Sequence, residues 1–489
     1  MISTPHVDWF ALAPTLSLLG ASGIALLGAV LVPRAAVRAF SVAVTGVGFV
    51  VSAVFAALLF DRSANPTLLL SESMTRDRLG ALAALLLALV GLAVVLASWG
   101  DRRRHHVGEY YALLAASAAG MVFFVSSSSL MTMFLALEWL SIALYVLCSL
   151  DTHRRESLEA GLKYLIIGSF SSGILLFGCA LVYGATGELG FNAIREATGA
   201  DNPMFVTGMA MILAGLAFKV SAAPFHMWTP DVYQGAPTSV TAFMATATKL
   251  SALVVTYRIL VTAFPEQAEI WSVAVAVIAV CSLAIGNLAA IAQKDVKRML
   301  AYSSVSHAGF LLIAVAANSE DGATSLLYYL IPYVAATAGA FVVVAARERE
   351  LGRAVTLSSL EGLGWERPFL GVGMWVFMLS LAGFPLTGGF LGKLFVFSAI
   401  YEAGWWWLVV IGVLATALSL AYYLWIVRAL YMRSGEVSSA TVVAAGGSPP
   451  RDIVLDAAVA AGIVVTIGSF FFVQPLVDLA RDAAASLPL

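Results

Sequence analysis

The chain has 489 residues, of which 61% are hydrophobic and only 11% charged, and its mean hydropathy is +0.92. Soluble globular proteins carry about 25% charged residues, so this composition excludes a soluble protein and indicates a polytopic membrane protein. The net charge of −2 gives no indication of a nucleic-acid partner, and three cysteines, each alone in an apolar run, argue against a disulfide framework or a cysteine-bound metal.

Apolar runs of about 20 residues, the length that crosses a bilayer, follow one another along most of the chain. Fourteen such crossings are predicted, numbered here in chain order. They lie near 10–33, 39–59, 80–99, 110–126, 128–149, 159–185, 203–236, 238–264, 270–292, 299–317, 324–346, 369–402, 405–431 and 453–473. The seventh and twelfth runs each span 34 residues, too many for one straight helix. The sequence therefore predicts an all-α integral membrane protein in which helices 7 and 12 are discontinuous.

Both long runs contain helix-breaking residues beside a lysine. The seventh run breaks at Ala-Ala-Pro just after Lys219, and the twelfth breaks at the motif GFPLTGG just before Lys393. Because proline cannot donate to the helix ladder and glycine weakens it, carbonyl groups are predicted to be freed beside both lysines. The breaks lie five crossings apart, so the two helices traverse the membrane in opposite senses. That arrangement is typical of an inverted repeat and indicates ion translocation.

Two inverted five-helix repeats are predicted, comprising crossings 4–8 (residues 110–264) and crossings 9–13 (residues 265–431). A three-helix segment, residues 1–109, precedes them, and residues 432–489 supply a cytoplasmic loop and the fourteenth helix. Lysine and arginine accumulate in cytoplasmic loops. With both termini outside, 17 of the 27 basic residues fall in inner loops and five in outer segments, although the outer loop at 60–80 runs against this bias. Both termini are therefore predicted to lie outside.

Lysine is concentrated inside the predicted membrane helices. Four of the six lysines lie in apolar runs, against one of the 21 arginines, Arg258. A charge at the bilayer centre costs roughly 2.5–3.5 kcal/mol on insertion scales, and a desolvated lysine can exchange its proton whereas arginine cannot. The candidates for proton translocation are Lys163, Lys219, Lys249 and Lys393. Lys163 lies about one turn inside its helix end, and the alternative that it snorkels to the surface stays open. Arg258, near the outer end of the eighth helix, is predicted to snorkel, and Arg258→Ala is expected to have little effect.

Two further ionisable residues are candidates. Glu138 is the sole carboxylate deep inside an apolar run, and it is predicted to form a switchable ion pair with Lys219. His307 lies about 12 Å along the tenth helix. The offset of 166 residues between the two long runs, which start at 203 and 369, takes Glu138 to Ser304, one turn from His307. A lone buried histidine is usually a packing residue, and that alternative stays open.

Motifs for redox cofactors do not occur in the sequence. There is no phosphate-binding glycine-rich loop, no CxxC metal spacing and no nucleophile elbow. The chain is therefore predicted to bind no NADH, flavin or iron–sulfur cluster.

Several segments in combination resemble one family. They are LEWLSIALYVLCSL, SLEAGLKYLIIGSFSSGILLFGCALVYGATGEL, FKVSAAPFHMWTPDVYQGAPTSVTAFMATATKL, KRMLAYSSVSHAGFLLIAV and GFPLTGGFLGKLFVFSAIYEAG. These segments resemble the antiporter-like subunits of respiratory complex I, and among them the subunit N family of bacterial NADH–quinone oxidoreductase. The resemblance spans most of residues 110–431. The family's ionisable residues fall on Glu138, Lys163, Lys219, Lys249, His307 and Lys393.

The resemblance implies a proton-translocating subunit in the bacterial inner (plasma) membrane that has no redox site of its own. NADH, FMN, iron–sulfur clusters and quinone would be bound by partner subunits, and the direct neighbours would be other antiporter-like and small membrane subunits. In the second repeat, Lys249 would receive the proton and Lys393 would lie near the outlet. The alternative is a cation/proton antiporter subunit or the equivalent part of a membrane hydrogenase. A scaffold without transport is disfavoured by the cost of five deep ionisable groups.

Overall fold

The computed structural model describes residues 7–101, 106–197, 202–432 and 452–489. Within these ranges the chain is helical apart from its turns and one β-hairpin, as predicted for an all-α membrane protein. The α-helices are Trp9–Leu31, Val37–Arg62, Arg78–Ser98, Val107–Val125, Leu130–Cys148, Arg155–Thr186, Phe191–Glu196, Pro203–Val220, Trp228–Gly235, Thr238–Phe243, Lys249–Ala263, Ala268–Ile291, Val296–Ala316, Glu320–Leu351, Leu363–Glu366, Pro368–Ala382, Gly388–Glu402, Trp406–Met432, Ile453–Phe471 and Val473–Ala484. The hairpin strands are Thr67–Leu69 and Met74–Arg76.

All fourteen predicted crossings are present in the described residues. Thirteen helical stretches are long and apolar enough to span a bilayer. The remaining one is the twelfth crossing, whose two parts, Pro368–Ala382 and Gly388–Glu402, are each too short to span it alone. Almost all residues of the eighth, tenth and eleventh crossings are buried, whereas in the first, second, sixth, thirteenth and fourteenth no more than a third are. The three enclosed crossings therefore form the centre of the molecule.

Polar side chains cap the starts of seven described helices. In each case a side-chain oxygen accepts a hydrogen bond from a backbone N–H of the first turn, which has no partner within the helix. The capping residues are Asp8, Asp77, Ser129, Asn202, Asp295, Ser319 and Asp452. Four of the seven caps are aspartates, which explains why carboxylates recur at helix starts in a chain so poor in charge.

The seventh crossing is broken at the predicted place. Its first half ends at Ser221, which adopts the left-handed conformation (φ 65°), and its second half begins at Trp228. Two side chains satisfy polar groups around the break: the N–H of Ala223 donates to Ser282 Oγ (2.8 Å), and the indole of Trp228 donates to the carbonyl of Phe218 (3.2 Å). Such partners allow irregular backbone to persist at membrane depth.

The twelfth crossing is broken between its two halves, also as predicted. Gly383 ends the first half with φ 81°, a conformation that costs glycine nothing. The halves then approach each other so closely that a Cβ atom on Gly389 would lie 2.0 Å from the carbonyl oxygen of Ser380. Only glycine fits at this position.

We expect Gly389→Ala to destabilise the protein by roughly 1–3 kcal/mol, the usual cost of overpacking, because the added methyl group would push the two halves apart. The measurement is the thermal stability of the purified assembly that contains this chain. Gly173→Ala is the matched control, since a Cβ atom on Gly173 would meet nothing within 4 Å. Equal melting temperatures for the two variants would show that the break tolerates movement.

The eighth crossing contains an irregularity that the sequence did not reveal. Its α-helix is interrupted by a π-helical turn, Met244–Thr248, directly before Lys249. A π-helical turn holds one more residue than the α-helical hydrogen-bond pattern accommodates, and such turns are frequent at functional sites.

Two features outside the repeats were also missed. The hairpin lies in the loop at 60–80, where the N–H of Thr75 donates to the carbonyl of Ser126 (2.8 Å). The C-terminal segment, predicted as a loop and a single helix, contains a second helix, Val473–Ala484, in which Asp482 forms an ion pair with Arg78 (2.9 Å). Most of the loop predicted in that segment lies outside the described residues, at 433–451.

Candidate functional site

Lys219 is buried at the break of the seventh crossing, with 3% of its surface exposed. Its ammonium group makes two hydrogen bonds, to Ser141 Oγ on the fifth crossing (2.7 Å) and to the hydroxyl of Tyr164 on the sixth (3.0 Å). Nζ also lies 5.2 Å from the centre of the Tyr164 ring. A charge in this place is therefore stabilised by neutral hydroxyl groups and an aromatic face.

Glu138 lies one helical turn before Ser141 on the fifth crossing. It is half-buried, and its buried Oε1 has no hydrogen-bond partner among the described residues. The predicted ion pair with Lys219 is not formed: the described ion pairs within 4.0 Å do not include these two residues, because Ser141 and Tyr164 bind the ammonium group instead. Switching between the two arrangements stays a prediction.

Lys249 follows the π-helical turn of the eighth crossing and points at the tenth. It is 1% exposed, and it donates to both the carbonyl and the hydroxyl group of Ser304 (Oγ at 2.6 Å). The hydroxyl of Ser304 lies 3.0 Å from that of Tyr333, which also donates to the carbonyl of Ala245 in the π-helical turn (3.1 Å). Ser304, which corresponds to Glu138 by the offset of 166 residues, thus binds a buried ammonium group.

His307 lies one turn further along the tenth crossing and is 2% exposed. Nδ1 lies 2.8 Å from the hydroxyl of Tyr329, and Nε2 lies 3.1 Å from that of Tyr423, which also bonds Ser303. Because a hydroxyl can donate or accept, both ring nitrogens keep a partner whether the imidazole is neutral or charged. The environment therefore suits a histidine that gains and loses a proton.

Lys393 occupies the second half of the twelfth crossing and is 3% exposed. Its ammonium group donates to the carbonyl oxygens of Leu381 and Ala382 (3.1 Å each), at the end of the first half. Nζ also lies 4.5 Å from the ring centre of Phe310 on the tenth crossing. Carbonyls without helical partners thus lie beside this lysine, as the break predicted.

Three predicted residues of the second repeat are brought together along the tenth crossing. Ser304, His307 and Phe310 follow at three-residue spacing, which places them on one face about 4.5 Å apart along the axis. Lys249 binds the first of them and Lys393 covers the last. Among the described residues no direct hydrogen bond joins this series to Ser141 or Tyr164, so the two repeats hold polar clusters that are not bonded directly to each other, with Tyr233 beside both Ser304 and Ser221.

Lys163 lies apart from these clusters, at the surface. Its ammonium group, 40% exposed, pairs with Glu159 (2.6 Å) and with Asp231 (2.8 Å), and Asp231 also pairs with Arg298 (2.6 Å). A cavity of about 700 Å³ opens over this network and is lined also by Arg154. The sequence missed Asp231, although a carboxylate in the half-helix after the break was a visible signal.

Arg258 does not snorkel, and that prediction was wrong. Its guanidinium group forms two hydrogen bonds with the carboxylate of Asp77 (2.5 and 3.0 Å), and the two side chains are 5% and 1% exposed. Asp77 also caps the third crossing by accepting from the N–H of Gly80 (2.7 Å). A buried carboxylate at the helix start thus draws the arginine inward.

The hydroxyl partners of the buried lysines and histidine were missed as well. Three of them are tyrosines inside membrane helices, Tyr164, Tyr329 and Tyr423, and a fourth tyrosine, Tyr333, bonds Ser304, the partner of Lys249. A buried tyrosine hydroxyl usually requires a partner, so these residues were a usable signal. Ser141 gave none, because a serine in a membrane helix commonly bonds its own backbone.

Comparison with known proteins gives one consistent result. Residues 127–419 match the family model described as NADH:quinone oxidoreductase/Mrp antiporter, transmembrane. NADH-quinone oxidoreductase subunit N of Salinibacter ruber is 42% identical over 418 residues, which cover 83% of each chain. A chain of respiratory complex I from Thermus thermophilus superposes with a TM-score of 0.78 at 34% identity, covering 96% of this chain and 99% of that one. A chain of the Mrp complex from Dietzia gives a TM-score of 0.84 at 22% identity, with 98% of each chain covered, which shows the shared fold alone.

Proposed function

The chain belongs to the subunit N family of NADH–quinone oxidoreductases, and from that membership we infer that it is a membrane subunit that translocates protons in such a complex. Protons would move through Glu138, Lys219, Lys249, His307 and Lys393, with Lys163 at the inner surface. Quinone reduction in other subunits would supply the energy. NADH, FMN, iron–sulfur clusters and quinone would be bound by those partners, while this chain contributes protonatable groups.

The observation that carries this proposal is the series along the tenth crossing. Lys249, His307 and Lys393 are ionisable residues from three crossings, and all are nearly inaccessible to solvent. Burying such groups is costly, and among the described residues no carboxylate forms an ion pair with any of the three. Each instead bonds hydroxyl or carbonyl groups. Groups held in this way fit a proton route much better than they fit a structural ion pair.

The orientation is proposed from the charge bias, and the internal boundaries are proposed from the spacing of the two broken crossings. We propose that both termini lie on the outer side of the bacterial inner membrane. The cavity beside Lys163 and Asp231 then opens to the inner side, since it lies where the sixth crossing begins and the seventh ends. The two repeats are taken as residues 110–264 and 265–431. The inner cavity would admit protons from the cytoplasm.

A cation/proton antiporter subunit, free of an oxidoreductase, is the second candidate. The Mrp match favours it only as a related fold, since the identity is 22%, against 42% for the subunit N relative. Gene neighbourhood separates the two. A cluster that also encodes NADH-binding and iron–sulfur subunits agrees with the proposed function, whereas a cluster of antiporter subunits alone contradicts it.

The function is tested by proton pumping coupled to NADH oxidation in vesicles, with assembly measured independently. We expect Glu138→Gln to slow pumping by roughly tenfold, the factor that about 1.4 kcal/mol represents, because the carboxylate could no longer attract the proton of Lys219. Glu138→Asp keeps the charge on a shorter side chain, and its proton pumping should be slowed less than that of Glu138→Gln.

Glu188→Gln is the matched control, because Glu188 is exposed in the loop after the sixth crossing. It should pump as the wild type does. Wild-type pumping by an assembled Glu138→Gln complex would contradict the role of Glu138 in the route.

A further inference from the structure

The two hydroxyl groups around Lys219 differ in what their own protons do. Ser141 donates its proton to the carbonyl of Leu137, one turn earlier in the same helix, so towards Nζ its oxygen can only accept. The hydroxyl of Tyr164 lies 3.0 Å from Nζ, and no other described residue accepts its proton. The tyrosine proton therefore has one protein acceptor within reach, the nitrogen of Lys219 in its neutral form.

This difference fits both protonation states of the lysine. An ammonium group has three N–H donors and can donate to Ser141 and Tyr164 together. A neutral amine keeps N–H donors for Ser141 and has a lone pair, which can accept from Tyr164. The heavy atoms need not move between the two states. Only the hydroxyl hydrogen of Tyr164 turns.

We propose that Ser141 and Tyr164 form a hydroxyl clamp that keeps Lys219 hydrogen-bonded in one position while it releases and regains a proton. Tyr164 is a positioning residue in this clamp, and its hydroxyl reverses direction with each transfer. The inference rests on the proposed function, since it explains how Lys219 can serve as a step on a proton route. Without the clamp, each loss of the proton would leave a buried polar group unpaired.

The ring of Tyr164 is held in place by its neighbours, so only its hydroxyl hydrogen is free to change direction. It stacks on Trp228 with ring centres 4.6 Å apart and planes 15° from parallel. The ring of Tyr145 packs nearly perpendicular to it, with ring centres 4.8 Å apart. The ring is completely buried. A hydroxyl on such a ring reorients without displacing its neighbours.

The second repeat contains the same pair of residue types. Lys249 donates a hydrogen bond to Ser304 on the tenth crossing, and the hydroxyl of Ser304 forms a hydrogen bond with that of Tyr333 on the eleventh. The tenth and eleventh crossings are the counterparts of the fifth and sixth in the predicted repeat. A serine that bonds a buried lysine and a tyrosine from the next crossing thus occur twice in one chain, although Tyr333 lies with its ring centre 6.0 Å from Lys249 Nζ and donates to the carbonyl of Ala245.

Tyr164→Phe tests the clamp because it removes the hydroxyl and keeps the ring. In the assembled complex we expect pumping to fall about tenfold, as for one lost hydrogen bond in the state that transfers the proton. Infrared difference spectra, recorded between the oxidised and NADH-reduced complex, should lose a tyrosine C–O–H band. Tyr257→Phe is the control, because Tyr257 is buried but donates to the carbonyl of Ser319 (3.0 Å), away from the lysines. It should change neither readout.

Serine variants provide an independent test that does not depend on the aromatic site. Ser141→Ala should slow pumping, and Ser141→Thr, which keeps a hydroxyl, should restore it. Ser117→Ala is the matched control, since Ser117 is buried beside the same helix and donates to the carbonyl of Leu140 (3.1 Å). Equal pumping by the alanine and threonine variants would overturn the clamp, whether or not Tyr164→Phe assembles.

Failure of the clamp can be told apart from failure of the proposed function with Lys219→Ala. Normal pumping by an assembled Lys219→Ala complex would contradict the function proposed for this residue. Loss of pumping in Lys219→Ala, together with wild-type pumping and an unchanged infrared band in Tyr164→Phe, would overturn the clamp alone.

Discussion

Replacement of Lys393 by alanine is expected to reduce NADH-driven proton pumping by roughly 100-fold, a usual contribution of a positioned proton-transfer group, while the complex still assembles. Lys393 is the ionisable residue that follows the break of the twelfth crossing, and its ammonium group bonds two helix-end carbonyls beside Phe310. In the alanine variant the side chain at position 393 can no longer take up a proton. The measurement is acidification or alkalinisation of vesicles during NADH oxidation, with subunit content determined separately.

An arginine variant separates charge from proton exchange. Lys393→Arg keeps a cation that can donate to the same carbonyls, but arginine does not release its proton at accessible pH. We therefore expect it to assemble and to pump no better than the alanine variant. Lys294→Ala is the control, because Lys294 is exposed between the ninth and tenth crossings. Wild-type pumping by Lys393→Arg would mean that Lys393 acts through its charge alone, and the predicted outlet would be wrong.

Arg258→Ala is expected to have the largest effect on stability, a loss of roughly 3–5 kcal/mol, as is usual when one partner of a buried ion pair is removed. The substitution would leave the carboxylate of Asp77 buried and without its cation. Asp77 caps the third crossing, so the damage would reach the junction between the first three helices and the first repeat. The structure thus reverses the expectation, drawn from sequence, that this variant would do little.

The measurement for this pair is the melting temperature of the purified complex and the amount of chain assembled in membranes. Arg258→Met combined with Asp77→Ser provides the control, because serine can still cap the helix and neither charge remains. The double variant should recover most of the stability lost in Arg258→Ala. If the single variant is as stable as the wild type, solvent reaches Asp77 and the pair is not buried in the complex.

The membrane explains why so much of the fold could be predicted. Each crossing must be apolar over a set length and must satisfy its backbone internally, so both the fourteen runs and the two breaks were visible in the sequence. The pairing of Arg258 with Asp77 was not visible, because the two residues are 181 positions apart and only tertiary structure brings them together. The hairpin and the helix Val473–Ala484 were missed because each is too short for a distinct pattern.

Within the site, depth could be predicted but direction could not. Glu138 and Lys219 were placed at similar depth, yet the rotation of the fifth helix turns Ser141 rather than Glu138 towards the ammonium group. The partner of a side chain depends on how the helix is rotated about its axis. Hydropathy does not indicate this rotation when a helix is apolar on all sides. For the same reason the tyrosines around His307 were not anticipated.

The π-helical turn before Lys249 makes the geometry of the eighth crossing depend on how many residues the turn contains, and not only on which residues they are. Adjacent residues on a helix are separated by about 100° of rotation. The π-helical turn absorbs one extra residue, so a deletion of one residue within Met244–Thr248 would restore a regular helix and leave Lys249 facing Ser304, whereas a regular helix with all residues kept would turn Lys249 away from it. Two homologues with identical ionisable residues, one of them with a gap at this turn, would therefore share the direction of the lysine and differ in the backbone of the turn, where the carbonyl of Ala245 accepts from Tyr333. Insertions and deletions here carry functional information that a comparison of residue identities does not register.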